Sequence, residues 1–204
     1  MSHFWNNVYK TKPLQAVSWY SEKLPVSFNL IRTLCPSQEA HIIDVGAGRS
    51  LLVDQLLDEH YENITLLDIS DEAIQQTKQR LENRASKITA LIGDITNYSF
   101  GFQKKFDLWH DRAVFHFLTT SDSRQSYKSA LREALNPGAC FIIATFGPDG
   151  PVKCSNCETV RYSDASMSAE FGDDFKMLGN MLVDHATPFK TKQQFIYCWF
   201  RYQP

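Results

Sequence analysis

The sequence contains no apolar run approaching the roughly 18 residues that a membrane-crossing helix requires, so no membrane partner is expected. Its opening stretch, MSHFWNNVYK, has no basic segment leading into an apolar one, so no secretory leader is expected. Charge of neither sign is in excess: 21 Lys and Arg face 23 Asp and Glu, for a net charge of −2 with the basic residues scattered. Nucleic-acid binding needs clustered Lys and Arg to neutralise phosphates, so no nucleic-acid partner is expected. Cysteine is sparse and odd in number, with five residues at Cys35, Cys140, Cys154, Cys157 and Cys198. That pattern argues against a disulfide framework and suits a reducing cytoplasm. Internal repeats, low-complexity tracts and Pro/Gly-rich linkers are also missing, which predicts a single domain over residues 1–204.

The apolar residues that are present, 43% of the chain, fall into a regular rhythm. From residue 40 onward, short apolar runs alternate with polar, helix-forming stretches. This is the pattern of a parallel sheet covered on both faces, an α/β fold. The strand candidates are HIIDVG (41–46), NITLLDI (63–69), KITALIG (87–93), KFDLWH (105–110) and ACFIIATF (139–146). Helices are predicted over 51–60, 71–85 and 121–135, with Ser70 or Asp71 capping the second and Ser121 or Asp122 the third. The third is expected to stop at Asn136-Pro137-Gly138.

Both flanks break the alternation. Residues 1–35 are rich in aromatics (Phe4, Trp5, Tyr9, Trp19, Tyr20, Phe28) and are expected to form helices over one end of the sheet. Residues 147–174 form a long connection with a short helix near 164–171, and a segment of that length is more often functional than idle. The last 30 residues read as two strands joined near Thr187-Pro188, an antiparallel hairpin at the sheet edge.

The most informative motif is IIDVGAGRS, residues 42–50, a strand running through a glycine turn into a helix. Gly46 and Gly48 permit a sharp turn and the close approach of a ligand to the backbone, with the free amides of a helix start behind them. Leu51 stands where a dinucleotide loop would carry its third glycine, and Asp44 puts a negative charge just before the turn. That charge suits a cationic ligand better than a pyrophosphate. The second strand ends in LLDIS, placing Asp68 to accept from ribose hydroxyls, and the third ends in IGDI, with Asp94 at the same edge.

Together, DVGAGRS, LLDIS and IGDI at the ends of three successive strands resemble a class I S-adenosylmethionine-dependent methyltransferase. The resemblance implies a Rossmann-like three-layer sandwich, with a mostly parallel seven-stranded sheet and a C-terminal antiparallel hairpin. It implies a helical lid over 1–35, a cofactor-binding core over 40–146, and an acceptor-side loop and hairpin over 147–204. It implies S-adenosylmethionine as cofactor, with Asp44, Gly46, Ala47 and Gly48 near its methionine part. Asp68 and Ile69 would then lie at the ribose, and Asp94 and Ile95 at the adenine. The N-terminal FWNNVYKTKPLQAVSWY also resembles the lid of small cytosolic relatives, among them lysine methyltransferases acting on translation elongation factors. Trp19 and Tyr20 would then close over the cofactor or the acceptor.

In such a fold the acceptor site lies beside the end of the fourth strand, where WHDRAVFHFL falls. Methyltransferases of exocyclic amines on nucleic acid often carry Asn/Asp-Pro-Pro-Tyr/Phe there, but this chain reads His110-Asp111-Arg112-Ala113. If a helical turn begins near Asp111, Arg112 and His116 share a face, and the guanidinium keeps the imidazole neutral and able to act as a base. His116 or Asp111 is thus the candidate for taking the acceptor proton, and the His110 backbone for flanking the cofactor's methionine part. Arg161 and Tyr162 are candidate contacts in the wall formed by the long connection. The pair Cys154-x-x-Cys157 has no second pair to complete a zinc site, so no metal is expected. The expected acceptor is a small molecule or a protein lysine. Two other functions use the same loop: a non-catalytic S-adenosylmethionine-binding protein, and a nicotinamide-dependent oxidoreductase, which Leu51 disfavours. The sequence leaves the oligomeric state open.

Overall fold

Strands that are apolar on both faces need cover on both sides, and the chain supplies it. The computed structural model describes residues 1–97 and 101–204. Two helices, α1 (Ser2–Thr11) and α2 (Pro25–Leu34), precede β1 (His41–Val45), α3 (Leu52–Asp58), β2 (Asn63–Asp68), α4 (Asp71–Leu81) and β3 (Ile88–Ile92). There follow β4 (Phe106–Arg112), α5 (Ser121–Ala134), β5 (Leu135–Phe146), a two-residue ribbon of β6 (Lys153–Cys154) and β7 (Cys157–Glu158), α6 (Asp164–Phe171), β8 (Phe175–Ala186) and β9 (Lys192–Tyr202).

The seven-stranded sheet has the order β3-β2-β1-β4-β5-β9-β8. Strands β1 to β5 run parallel, whereas β9 pairs antiparallel with both β5 and β8. This is the expected α/β sandwich with its C-terminal hairpin. One core, around Ile42, Leu56, Ile64 and Ile142, lies under α2, α3 and α4. The other, around Trp109, Tyr127, Phe141 and Phe171, lies under α5 and α6. Burying each such large side chain contributes about 1.5–3 kcal/mol relative to leaving it exposed. The strand order reverses direction at β1, between β2 and β4, and the crevice outside the carboxyl ends there is where open α/β sheets bind ligands.

Several local expectations are corrected. Ser70 caps α4 as expected, accepting from the Ala73 amide at 3.1 Å, but α5 is capped one residue earlier than expected, by Thr120. Helix α4 ends at Leu81, and a 3-10 segment, Glu82–Lys87, fills the rest of the expected helix. Asn136-Pro137-Gly138 does not separate helix from strand, because Leu135 already pairs with Phe106 and the ladder absorbs an irregularity before Cys140. The fourth strand runs through Arg112, so no helix begins at Asp111; the chain turns at Ala113 (φ 75°) into a short 3-10 turn, Phe115–Phe117.

Candidate active site

The turn after β1 shows why glycine is needed twice. Gly46 and Gly48 have φ of 67° and 52°, values that cost an L-residue strain. A Cβ on Gly46 would collide with Cγ2 of Val114, and one on Gly48 would stand 2.6 Å from the Tyr9 hydroxyl. The amides of Gly46 and Ala47 donate to the Leu67 carbonyl at 2.7 and 3.1 Å, tying the turn to β2. Asp68 completes the clamp: its carboxylate accepts from the Gly48 amide at 2.7 Å and the Ser70 amide at 2.8 Å. Burial pushes the Asp68 carboxyl up to about 6, against the pull of these amides.

These turns open onto a cavity of about 360 Å³, within the size range of small-molecule sites. Gly46, Asp68, Ile69, Asp94 and Ile95 line one half of it. Asp94 is oriented by Thr96, whose amide and hydroxyl donate to the same carboxylate oxygen at 2.9 and 2.7 Å. The other half is formed by Arg112, His116, Phe117, Phe146, Cys154, Gln193 and Phe195, from the ends of β4 and β5, the ribbon and β9. Trp5, Tyr9 and Trp19 line it from the N-terminal segment. The Trp5 ring lies 5.9 Å from Trp19 and 5.4 Å from Phe117, both edge to face. Helix α1 is held down where Arg49 and Gln76 donate to the Tyr9 carbonyl and Ser70 donates to Asn6.

A second, smaller cavity of about 50 Å³ is lined by Asp44, Ala47, Gly48, His110 and Tyr20. Between the two halves of the sequence a buried polar chain forms: His110 Nδ1 donates to Asp44 at 2.7 Å, His110 Nε2 lies 2.9 Å from Ser27 Oγ, and Ser27 lies 3.3 Å from the Tyr197 hydroxyl. The expected cofactor set is thus split. Trp19 and Gly46 line both cavities, Asp68, Ile69, Asp94 and Ile95 the larger, and Asp44, Ala47, Gly48 and His110 the smaller.

Both candidates for taking the acceptor proton have hydrogen-bond partners inside the protein. Asp111 is fully buried, lies outside both cavities, and accepts from the amides of Val114 and Phe115 and from the Tyr127 hydroxyl at 2.9, 3.2 and 2.7 Å. It holds the turn after β4, and burial raises its carboxyl to about 6. His116 does line the larger cavity, but its Nδ1 accepts from the Phe146 amide at 3.2 Å. That bond uses the ring's lone pair and leaves the proton on Nε2. Burial, assisted by Arg112, lowers the imidazolium to about 3, so the ring is neutral. Arg112 and His116 share no helix face; they meet over Phe195, with the guanidinium 4.7 Å and the imidazole 6.4 Å from its ring centre. Tyr162 is buried in the α5–α6 core, and neither it nor Arg161 lines either cavity. Cys154 faces Cys157 in the ribbon, and among the described residues no third metal-ligating side chain joins them.

A family model described as a methyltransferase domain matches residues 36–202. The chain belongs to this family, the class I S-adenosylmethionine-dependent methyltransferases. Over 140 residues, 69% of the chain, it is 26% identical to an eEF1A lysine and N-terminal methyltransferase of Bos taurus. It spans about a fifth of that relative's length. The fold is similar to that of the N-methyltransferase NodS from Bradyrhizobium japonicum, solved with S-adenosylhomocysteine, at TM-score 0.74 and 16% identity over 98% of this chain and 99% of that one. It is also similar to the Burkholderia thailandensis 1,6-didemethyltoxoflavin-N1-methyltransferase, at TM-score 0.69 and 15% identity over 100% and 84% of the chains.

The residues of this methyltransferase fit its cofactor. Asp68 keeps acceptor capacity beyond its amide bonds for paired hydroxyls, and Ile69 and Ile95 offer apolar flanks beside Asp94 in the same half of the cavity. Sequence reasoning missed Phe146 at the end of β5, and Gln193 and Phe195, which reach the site only because β9 pairs with β5. It also missed Trp5 and Tyr9 as individual wall residues, although the aromatic density of the N-terminal segment pointed there. Among the described residues, no helix is long and apolar enough to cross a membrane.

Proposed function

We propose that this methyltransferase transfers the methyl group of S-adenosylmethionine to a small molecule enclosed beneath α1. The bound cofactor supplies a sulfonium-linked methyl group open to in-line displacement. On this reading residues 1–35 are the lid, 40–146 hold the cofactor, and 147–204 supply the acceptor-side wall. Asp68 and Ile69 hold the ribose, Asp94 and Ile95 the adenine, and Asp44, Gly46, Ala47, Gly48, His110 and Trp19 surround the methionine part. The five free thiols suit a reducing cytoplasm, where we place the protein.

The observation that carries this reading is the charge of the acceptor half. Among the described residues lining the cavity, the only carboxylates are Asp68 and Asp94, both in the cofactor half, whereas Arg112 stands in the other. A lysine ammonium entering there would lose its hydration with no carboxylate facing it, and would meet a guanidinium. No group in that half is set to take a proton near neutral pH. The lone pair of His116 is engaged, and burial pushes the Tyr9 hydroxyl and the Cys154 thiol up. The acceptor atom must therefore arrive already nucleophilic, and the protein's part is alignment.

A second reading, methylation of a protein lysine, draws support from the names of the curated relatives and from the Trp5–Tyr9–Trp19 cluster, whose ring faces could hold an ammonium. Incubating the protein with methyl-labelled S-adenosylmethionine and cell lysate, then separating by size, decides between them. Label in the small-molecule fraction supports the first reading, and label on a protein band overturns it in favour of the second. S-adenosylhomocysteine binding without any transfer would instead make the chain a non-catalytic cofactor-binding protein.

A further inference from the structure

Three side chains in the acceptor half leave a buried polar atom without a hydrogen-bond partner: Arg112 at Nε, His116 at Nε2 and Gln193 at Oε1. A buried polar atom left unpaired loses its hydration with nothing in return, so three around one cavity mark a site built for something that pairs with them. The chemistry of the first two atoms is settled by their surroundings. Arg112 donates from Nη1 to the Trp19 carbonyl at 3.2 Å, which anchors the guanidinium and leaves Nε–H as a charged donor. His116 has its Nδ1 committed to the Phe146 amide, so Nε2–H is a neutral donor that cannot switch to an acceptor without losing that bond. Gln193 presents a carbonyl oxygen, an acceptor. The surfaces around them are flat and aromatic: Phe195 under Arg112, and Phe117 and Phe146 against His116, with centroids 4.6 and 4.3 Å from its ring.

We infer that the acceptor is a flat, usually aromatic small molecule carrying a carboxylate or comparable anionic oxygen, read by Arg112 Nε–H and His116 Nε2–H, with a donor group set toward Gln193. This deepens the small-molecule reading and rests on it. His116 then acts as a specificity-determining donor and not as a base. The two donors, one charged, make an oxygen that bears full negative charge the preferred partner, because charge-assisted hydrogen bonds are about twice as strong as neutral ones. A neutral amide of the same shape would satisfy one donor and bring its own NH₂ against the other.

The test uses calorimetry on the full chain saturated with S-adenosylhomocysteine. The probes are three aromatic carboxylates, benzoate, salicylate and indole-3-acetate, each paired with its primary amide. At least one carboxylate should bind tenfold or more tighter than its amide, and Arg112→Gln should erase that preference, read as the ratio of the two affinities with S-adenosylhomocysteine kept saturating. His116→Phe, which keeps the flat ring, should weaken the same carboxylate about tenfold. Absence of any carboxylate preference overturns the inference, as does a preference that survives in Arg112→Gln. Failure of S-adenosylhomocysteine itself to bind is a separate outcome: it overturns the cofactor assignment on which the inference stands.

Discussion

The carboxylate of Asp68 accepts from the Gly48 amide at 2.7 Å, so the residue expected to hold the ribose also holds the glycine turn in shape. Asp68→Ala should therefore weaken S-adenosylhomocysteine binding by two orders of magnitude or more and lower the melting temperature as well. Asp68→Asn, which keeps one acceptor oxygen, should fall between. Calorimetry and thermal unfolding of the three proteins together check both halves of this expectation.

Gly46→Ala places a methyl against Val114 at a φ of 67°, combining strain with overlap. A loss of about 2–4 kcal/mol in denaturant unfolding is expected from the two effects. Val114→Ala in the same chain should restore the part due to overlap and leave the part due to φ, so the double-mutant cycle separates them.

Asp111→Asn should cost stability far more than catalysis. The carboxylate is buried among three donors, and Asn offers one acceptor oxygen in place of two, while its NH₂ meets amides that also donate. A loss of about 2–4 kcal/mol is expected from an unsatisfied buried network. Turnover per folded molecule should stay within about fivefold of wild type, and a much larger loss would return Asp111 to the chemistry.

His116 makes stability depend on pH in a definite direction. Its folded pKa is lowered from 6.5 to about 3, so between those values the unfolded chain binds the extra proton and stability falls as pH falls. Asp68 and Asp111, raised from 3.8 to about 6, act in the opposite sense over part of that range, because the folded state binds their protons. His116→Phe removes the acceptor of the buried Phe146 amide and should cost about 1–3 kcal/mol at pH 7.5, yet flatten the decline between pH 6.5 and 4. Unfolding curves at several pH values measure the difference.

How legible the site was in the sequence followed from how local its determinants are. Asp44, Asp68 and Asp94 could be placed because each lies within two residues of a strand's carboxyl end, and the alternation of apolar runs locates strand ends. The same reasoning could not tell that Asp111 faces inward to Tyr127 or that the lone pair of His116 belongs to Phe146, since both partners come from distant elements. The difference between a fourth strand that ends at His110, as read from the sequence, and one that runs through Arg112 decides whether Asp111 and Arg112 lie on a helix face or along a strand, and strand ends are uncertain by that much. The wall residue Gln193 carries no motif at all. Only the antiparallel return of β9 brings it to the cavity.

Helix α1 is fastened to the body through a few side-chain bonds at Asn6 and Tyr9 and through the Trp5–Trp19 aromatic contact, and its N-cap carries no side-chain bond. Trp5 and Tyr9 also line the larger cavity, so a ligand packed against them ties that helix to the body at two more points. The amides of residues 5–11 therefore keep the protein's clock: their exchange with solvent should slow when ligand fills the cavity, in step with how long each ligand stays.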